Sequence, residues 1–164
     1  MIKLKLAHLQ EGESRLSRRV TPDEAGLADA DEFGGAINLS FAMNKIGREI
    51  FIRASITTSL DLICDRCLEP FQIQISEKTD LVVTPDSSVD DEAVFPMNDE
   101  IDITGTVRDT LVLAIPLKKV CREDCRGLCP RCGANLNREE CTCEDVPTDP
   151  RWEALKRFKE NDNL

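Results

Sequence analysis

Eight cysteines stand in four short-spaced pairs: Cys64-x-x-Cys67, Cys121-x-x-x-Cys125, Cys129-x-x-Cys132 and Cys141-x-Cys143. Nothing else in the chain restricts its fold as much. Such pairs act as disulfides, redox centres or metal ligands. The opening residues, Met1-Ile2-Lys3-Leu4-Lys5-Leu6-Ala7-His8, lack the apolar stretch of about 7–15 residues that marks a secretory signal. A cytoplasmic location is therefore expected, and disulfides are rare there. Metal is the leading expectation. Zinc takes four ligands at about 2.3 Å in a tetrahedron, and thiolates supply them. A two-residue spacer lets a tight turn present two sulfurs to one ion. Cys129-Pro130-Arg131-Cys132-Gly133 suits that turn, with proline fixing the entry and glycine tolerating positive φ after it. Buried structural thiols explain single cysteines, but not four ligand-like pairs.

If no pair is split, two zinc ions leave three partitions. Cys64 and Cys67 join Cys121 and Cys125, with Cys129, Cys132, Cys141 and Cys143 as the second set. Alternatively the two C-x-x-C pairs form a zinc ribbon, or the 64/67 pair joins 141/143. The first is favoured. Its second set closes within fifteen residues, which keeps the entropy of loop closure small, and its first set anchors a cysteine-rich segment with few large apolar residues. Arg66 and Arg131 each precede the second cysteine of a pair. They either neutralise the thiolates or face water.

Charge is uneven. The chain has 21 basic and 31 acidic residues, net −10, but residues 118–164 hold ten of each. The whole imbalance lies in residues 1–117. Lys118, Lys119, Arg122, Arg126, Arg131 and Arg138 make 118–138 locally basic. The first five are candidate nucleic-acid contacts, although an acidic chain argues against non-specific binding. The bland reading is that these cations offset zinc–thiolate charge. No apolar run approaches the roughly 18 residues of a membrane span. His8 is the only histidine, and a four-cysteine zinc site has no open position for water. No enzyme is expected, and no catalytic residue is assigned.

Residues 2–6 alternate as a strand. Residues 11–35 read as a loop, with a short helix at 22–30 started by Thr21 and Pro22. Period-two apolar residues over 37–84 predict an antiparallel meander with one buried face. Its last turn is Cys64-Asp65-Arg66-Cys67. Residues 85–100 read as an acidic surface loop. Ile103, Val107, Leu111 and Ile115 predict a helix over 102–115, capped by Asp102 or Thr104 and ended by Pro116. Trp152, Leu155 and Phe158 predict a last helix. The expected fold is α+β: a meander-dominated antiparallel sheet, one or two packed helices and a C-terminal zinc-binding segment. The expected division is a β-rich body (1–117), a cysteine-rich segment docked on the 64–67 turn (118–147), and a helical tail (148–164).

Ordered sequence elements carry a resemblance. Cys64-Asp65-Arg66-Cys67-Leu68-Glu69-Pro70-Phe71 resembles the C-x-R-C-L-x-P-F element of the YceD family, the large ribosomal RNA subunit accumulation proteins, sometimes called nucleic-acid-binding proteins. The run Asp99–Ile103, Ala114-Ile115-Pro116-Leu117, the stretch from Cys121 to Asn137, and Asp149-Pro150-Arg151-Trp152 are similar to later family elements. The resemblance implies a non-enzymatic bacterial factor in accumulation of large-subunit rRNA, acting in processing, protection or assembly. Its expected partners are that rRNA, a large-subunit ribosomal protein, or both. Some members lack the last cysteine cluster, which agrees with the first partition. A redox-regulated zinc thiol switch or chaperone is the alternative, since thiol switches also use such pairs.

Overall fold

The computed structural model describes residues 1–7, 9–84, 96, 99–143, 149 and 151. Within them the alternation of 37–84 becomes three long strands. β3 (Ile37–Ile46), β4 (Glu49–Ile63) and β5 (Pro70–Val83) run antiparallel in sequence order. Ile37, Leu39, Phe41 and Met43 of β3 face the core, as do Ile50, Ile52, Ala54, Ile56, Leu60 and Leu62 of β4. The intervening residues form the opposite, solvated face. Gly47 turns the first hairpin at φ 62°, a conformation glycine adopts without steric cost.

Three further strands lie among the described residues. β1 (Lys3–Lys5) pairs with β6 (Glu100–Asp102), placing Leu4 opposite Ile101. β2 (Gly12–Val20) pairs with β3 as an edge strand, in the order β2-β3-β4-β5. The loop expected over 11–35 is therefore wrong for its first half. The core-side positions of β2 are Ser14, Leu16, Arg18 and Val20, and only Val20 is buried. A half-polar edge strand hides the period-two signal.

Residues 22–30 form turns and no helix. The expected start signal is still used. The Thr21 N–H donates to Glu24 Oε2 at 2.9 Å, and the Glu24 N–H donates to Thr21 Oγ1 at 3.3 Å, a reciprocal capping box. Ala25, Leu27 and Phe33 from this region are buried over the sheet.

α1 (Thr104–Leu113) sits inside the predicted 102–115 and buries Val107 and Leu111. The Asp102 carboxylate accepts the Thr104 N–H at 2.9 Å, and Thr104 Oγ1 accepts the Ile2 N–H at 2.7 Å. That pair of bonds ties the helix start to the β1–β6 pair. The β1–β6 pair, the 21–35 turns and α1 contribute to one apolar cluster with the sheet. Among the described residues the protein is thus mostly antiparallel sheet with one short helix. No helix there is long and apolar enough to cross a membrane. His8, most of the acidic 85–100 stretch, and the expected helix carrying Trp152, Leu155 and Phe158 lie outside the described residues.

Candidate metal centre

The β4–β5 connection is the Cys64–Cys67 turn. Cys64 N–H donates to Glu69 O at 2.9 Å and Leu68 N–H to Cys64 O at 2.9 Å. The two long strands thus hold both thiols at one end of the sheet. The chain after α1 returns to this end. Asp65 N–H donates to Lys119 O at 2.7 Å, and Lys119 N–H donates to Asp65 Oδ2 at 2.7 Å. Arg66 Nη1 donates to the carbonyls of Glu123 and Cys125 at 3.2 and 2.9 Å. Leu128 N–H donates to Arg66 O at 3.1 Å. Gly127 lies under that carbonyl at φ 73°, where a Cβ would stand 3.0 Å from Arg66 O. Only glycine fits the approach without displacing it.

Four sulfurs meet as a result: Cys64, Cys67, Cys121 and Cys125, all within 4.8 Å of one another. Cys64–Cys125 is 3.9 Å and Cys67–Cys121 is 3.8 Å. A tetrahedron with metal–sulfur bonds of about 2.3 Å has edges of about 3.8 Å. Cys129, Cys132, Cys141 and Cys143 make the second set, with contacts of 3.3 and 3.6 Å from Cys141 to Cys129 and Cys132. This is the first of the three partitions. The donor set and spacing suit zinc.

The sulfurs are also hydrogen-bonded as thiolates require. Cys121 N–H donates to Cys64 Sγ at 3.4 Å and Arg131 N–H to Cys129 Sγ at 3.4 Å. Burial pushes the Cys64 thiol up, but the N–H groups of Cys121, Cys67 and Arg66 outweigh it and hold Cys64 at about 6. The N–H groups of Cys132 and Arg131 hold Cys129 at about 6 as well. Burial and the neighbouring thiols push Cys121 up to about 12, and hydrogen bonds to Cys141 and Cys132 do the same to Cys143. Without a cation, four charges cannot share one shell. Each set therefore pairs a thiol held low, Cys64 or Cys129, with one pushed up, Cys121 or Cys143. A divalent ion must displace the thiol protons, so its affinity rises with pH.

The two sets differ in cover. Cys64, Cys67 and Cys125 are buried and pack with Phe71, Val120 and Leu128. In the second set only Cys129 is buried, while Cys132 and Cys143 are exposed.

The basic candidates separate on inspection. Lys118, Arg122, Arg126 and Arg131 are exposed. Arg122 donates to Asn137 Oδ1 at 2.8 Å and lies 3.4 Å from Asp124. Lys119 is half-buried and pairs with Glu32 at 3.0 Å, so it fastens the segment to the body. The exposed Arg66 side chain holds two carbonyls, and its N–H is among those that hold Cys64 low. Sequence reasoning missed Asn137 and Glu69. Asn137 Oδ1 accepts Arg126 N–H at 2.8 Å, and its Nδ2 donates to Cys125 Sγ at 3.4 Å. Glu69 accepts from Asn135 at 3.2 Å and Arg138 at 2.7 Å. Both lie inside the motifs that carry the family resemblance, which was their one visible signal.

Residues 52–159 match the family described as large ribosomal RNA subunit accumulation protein YceD. The chain belongs to the YceD family. It is 30% identical over 128 residues to an uncharacterized protein of Mycobacterium tuberculosis, covering 74% of this chain and 61% of that protein. It is 26% identical over 179 residues to the chloroplastic YCED homolog 1 of Arabidopsis thaliana, named a large ribosomal RNA subunit accumulation protein, covering 90% of this chain and 54% of that protein. The Zea mays homolog of that name is 51% identical over 57 residues, 34% of this chain and 20% of that protein. The chain thus spans less than two thirds of the length of these relatives. No solved structure matches. Membership in YceD covers both cysteine sets and the hairpin that carries the first.

Proposed function

We propose that this YceD chain is a non-enzymatic cytoplasmic factor for accumulation of large-subunit rRNA, built around two zinc ions. Cys64, Cys67, Cys121 and Cys125 would hold one ion, and Cys129, Cys132, Cys141 and Cys143 the other. Zinc there supplies a structural cross-link, because four thiolates leave no position for a reacting water. One observation carries the reading. The first four-sulfur set joins the β4–β5 turn to the basic segment, on which Lys118, Arg122, Arg126 and Arg131 are exposed. A segment without its own core is thereby fixed in one orientation as a contact surface. Lys119 anchors it through Glu32. The exposed cations meet phosphates of the rRNA precursor, directly or at the edge of a ribosomal-protein contact.

Co-sedimentation with large-subunit precursor particles tests this. Lys118→Ala with Arg126→Ala is expected to weaken association and to flatten the slope of log affinity against log salt by about 1.5, at about 0.7–0.9 per phosphate contact. Zinc content is expected to stay unchanged. Association with unaltered salt dependence would remove this segment from the contact.

A further inference from the structure

The sheet register lines up three cross-strand rows on the face away from the core: Arg15–Ala42–Arg53–Asp80, Ser17–Ser40–Ser55–Lys78, and Arg19–Asn38–Thr57–Ser76. We propose that this face binds single-stranded RNA, as a second contact surface separate from the cysteine-rich segment. It rests on the rRNA reading above and names a surface for it.

The charge of these rows opposes that of the chain. Arg15, Arg19, Arg53 and Lys78 stand in them against one acid, Asp80, whose carboxylate Arg53 already holds at 2.8 and 3.3 Å. The other acids of the face lie toward its ends, Glu13 and Glu49 at one and Asp61 at the other. The chain as a whole carries 31 acidic and 21 basic residues.

The shape fits a strand of nucleotides. Ser40, Ala42, Ser55 and Thr57 on the two middle strands are short, so the floor is low except where Arg53 stands paired with Asp80. Arg15 and Arg19 rise from β2 on one side and Lys78 from β5 on the other. Three strand spacings of about 4.8 Å separate those sides, about 14 Å in all. Two shallow hollows lie on this floor. One holds Phe51 between the cations Arg15 and Arg53 and the acids Glu13 and Asp80, and the other is lined by Arg19, Asn38, Ser40 and Thr57.

Phe51 is the independent sign. It is 41% exposed in a chain with six phenylalanines and one tryptophan, and it shares the face with Arg53. Bases stack on exposed aromatic rings while Arg and Lys track the backbone. The hydroxyls and amides of the floor can bond phosphate and 2′-hydroxyl groups. A merely solvated sheet face would also be polar. That explains the serines, but neither the four cations against one acid in the three rows nor an aromatic ring held in a hollow beside them.

The test uses the zinc-loaded full chain and a fluorescein-labelled, mixed-sequence 12-nucleotide single-stranded RNA, read by anisotropy across salt. Arg15→Ser, Arg19→Ser and Lys78→Ser together are expected to weaken binding about tenfold or more and to flatten the salt slope by about 2. Phe51→Ala is expected to weaken it by about 5- to 100-fold with the slope kept. The same changes are expected in the Lys118→Ala, Arg126→Ala background, because distant sites act independently. If the triple variant does not fold, Lys78→Ser alone is expected to flatten the slope by about 0.7. Unchanged affinity and slope in these variants overturn the proposal. If the native chain binds no RNA yet still co-sediments with precursor particles, the face proposal falls and the accumulation reading stands through protein contact. If it does neither, both fall.

Discussion

Leu68 and Gly133 hold the same place in two turns of one shape. Each follows the second cysteine of a C-x-x-C pair, and each donates its N–H to the carbonyl of the first, at 2.9 and 3.0 Å. Both are left-handed, at φ 57° and 76°. Glycine accepts that backbone freely, whereas a residue with a Cβ loses roughly 1–2 kcal/mol. Leu68 recovers little by burial, being 63% exposed. Leu68→Gly is therefore expected to raise stability by about 1 kcal/mol or less, since glycine also adds freedom to the unfolded chain. Thermal unfolding of the zinc-loaded protein checks this, and destabilisation would show that the leucine packs usefully. Gly133 was legible in the sequence because glycine after a cysteine pair marks a left-handed turn. Leucine gives no such sign. Asn137 showed only in the family motif, because its amide reaches Cys125 across twelve residues and side-chain orientation leaves no periodic trace.

At the level of elements, the strands with a clean apolar face were readable and those without were not. β3 and β4 alternate buried and open positions almost without interruption. β2 does not, and it becomes a strand because β3 offers it a free edge, a tertiary cause that propensity does not contain. The Thr21–Glu24 box shows the converse. The start signal of a helix is present and bonded, yet Gly26 at φ 73° turns the chain away after one turn. In α1 the four-residue recurrence read correctly because Val107 and Leu111 both meet the core. Leu111 is fully buried, and Leu111→Ala is expected to destabilise by about 2–5 kcal/mol. Denaturant unfolding measures it, and a change near zero would mean that the helix does not pack as described.

Across the whole molecule, the two sulfur sets do different work. The first spans the sheet and the cysteine-rich segment, and the second lies within that segment. Cys64→Ser is expected to release one zinc ion and also to loosen the segment from the body, lowering the thermal midpoint. Cys129→Ser is expected to release one ion with the sheet transition nearly unchanged. Metal stoichiometry and unfolding on the same preparations separate these outcomes, and equal losses in both variants would contradict the assignment. The partition itself was legible from spacing, since a compact second set leaves the first pair to its distant partner. That distance bears on how the protein is made. Cys67 and Cys121 are 54 residues apart, so a ribosome adding about 5–20 residues per second leaves the hairpin thiols without their partners for about 3–10 s. During that interval the nascent chain presents two bare cysteines at a hairpin tip, open to metal, oxidant or another chain.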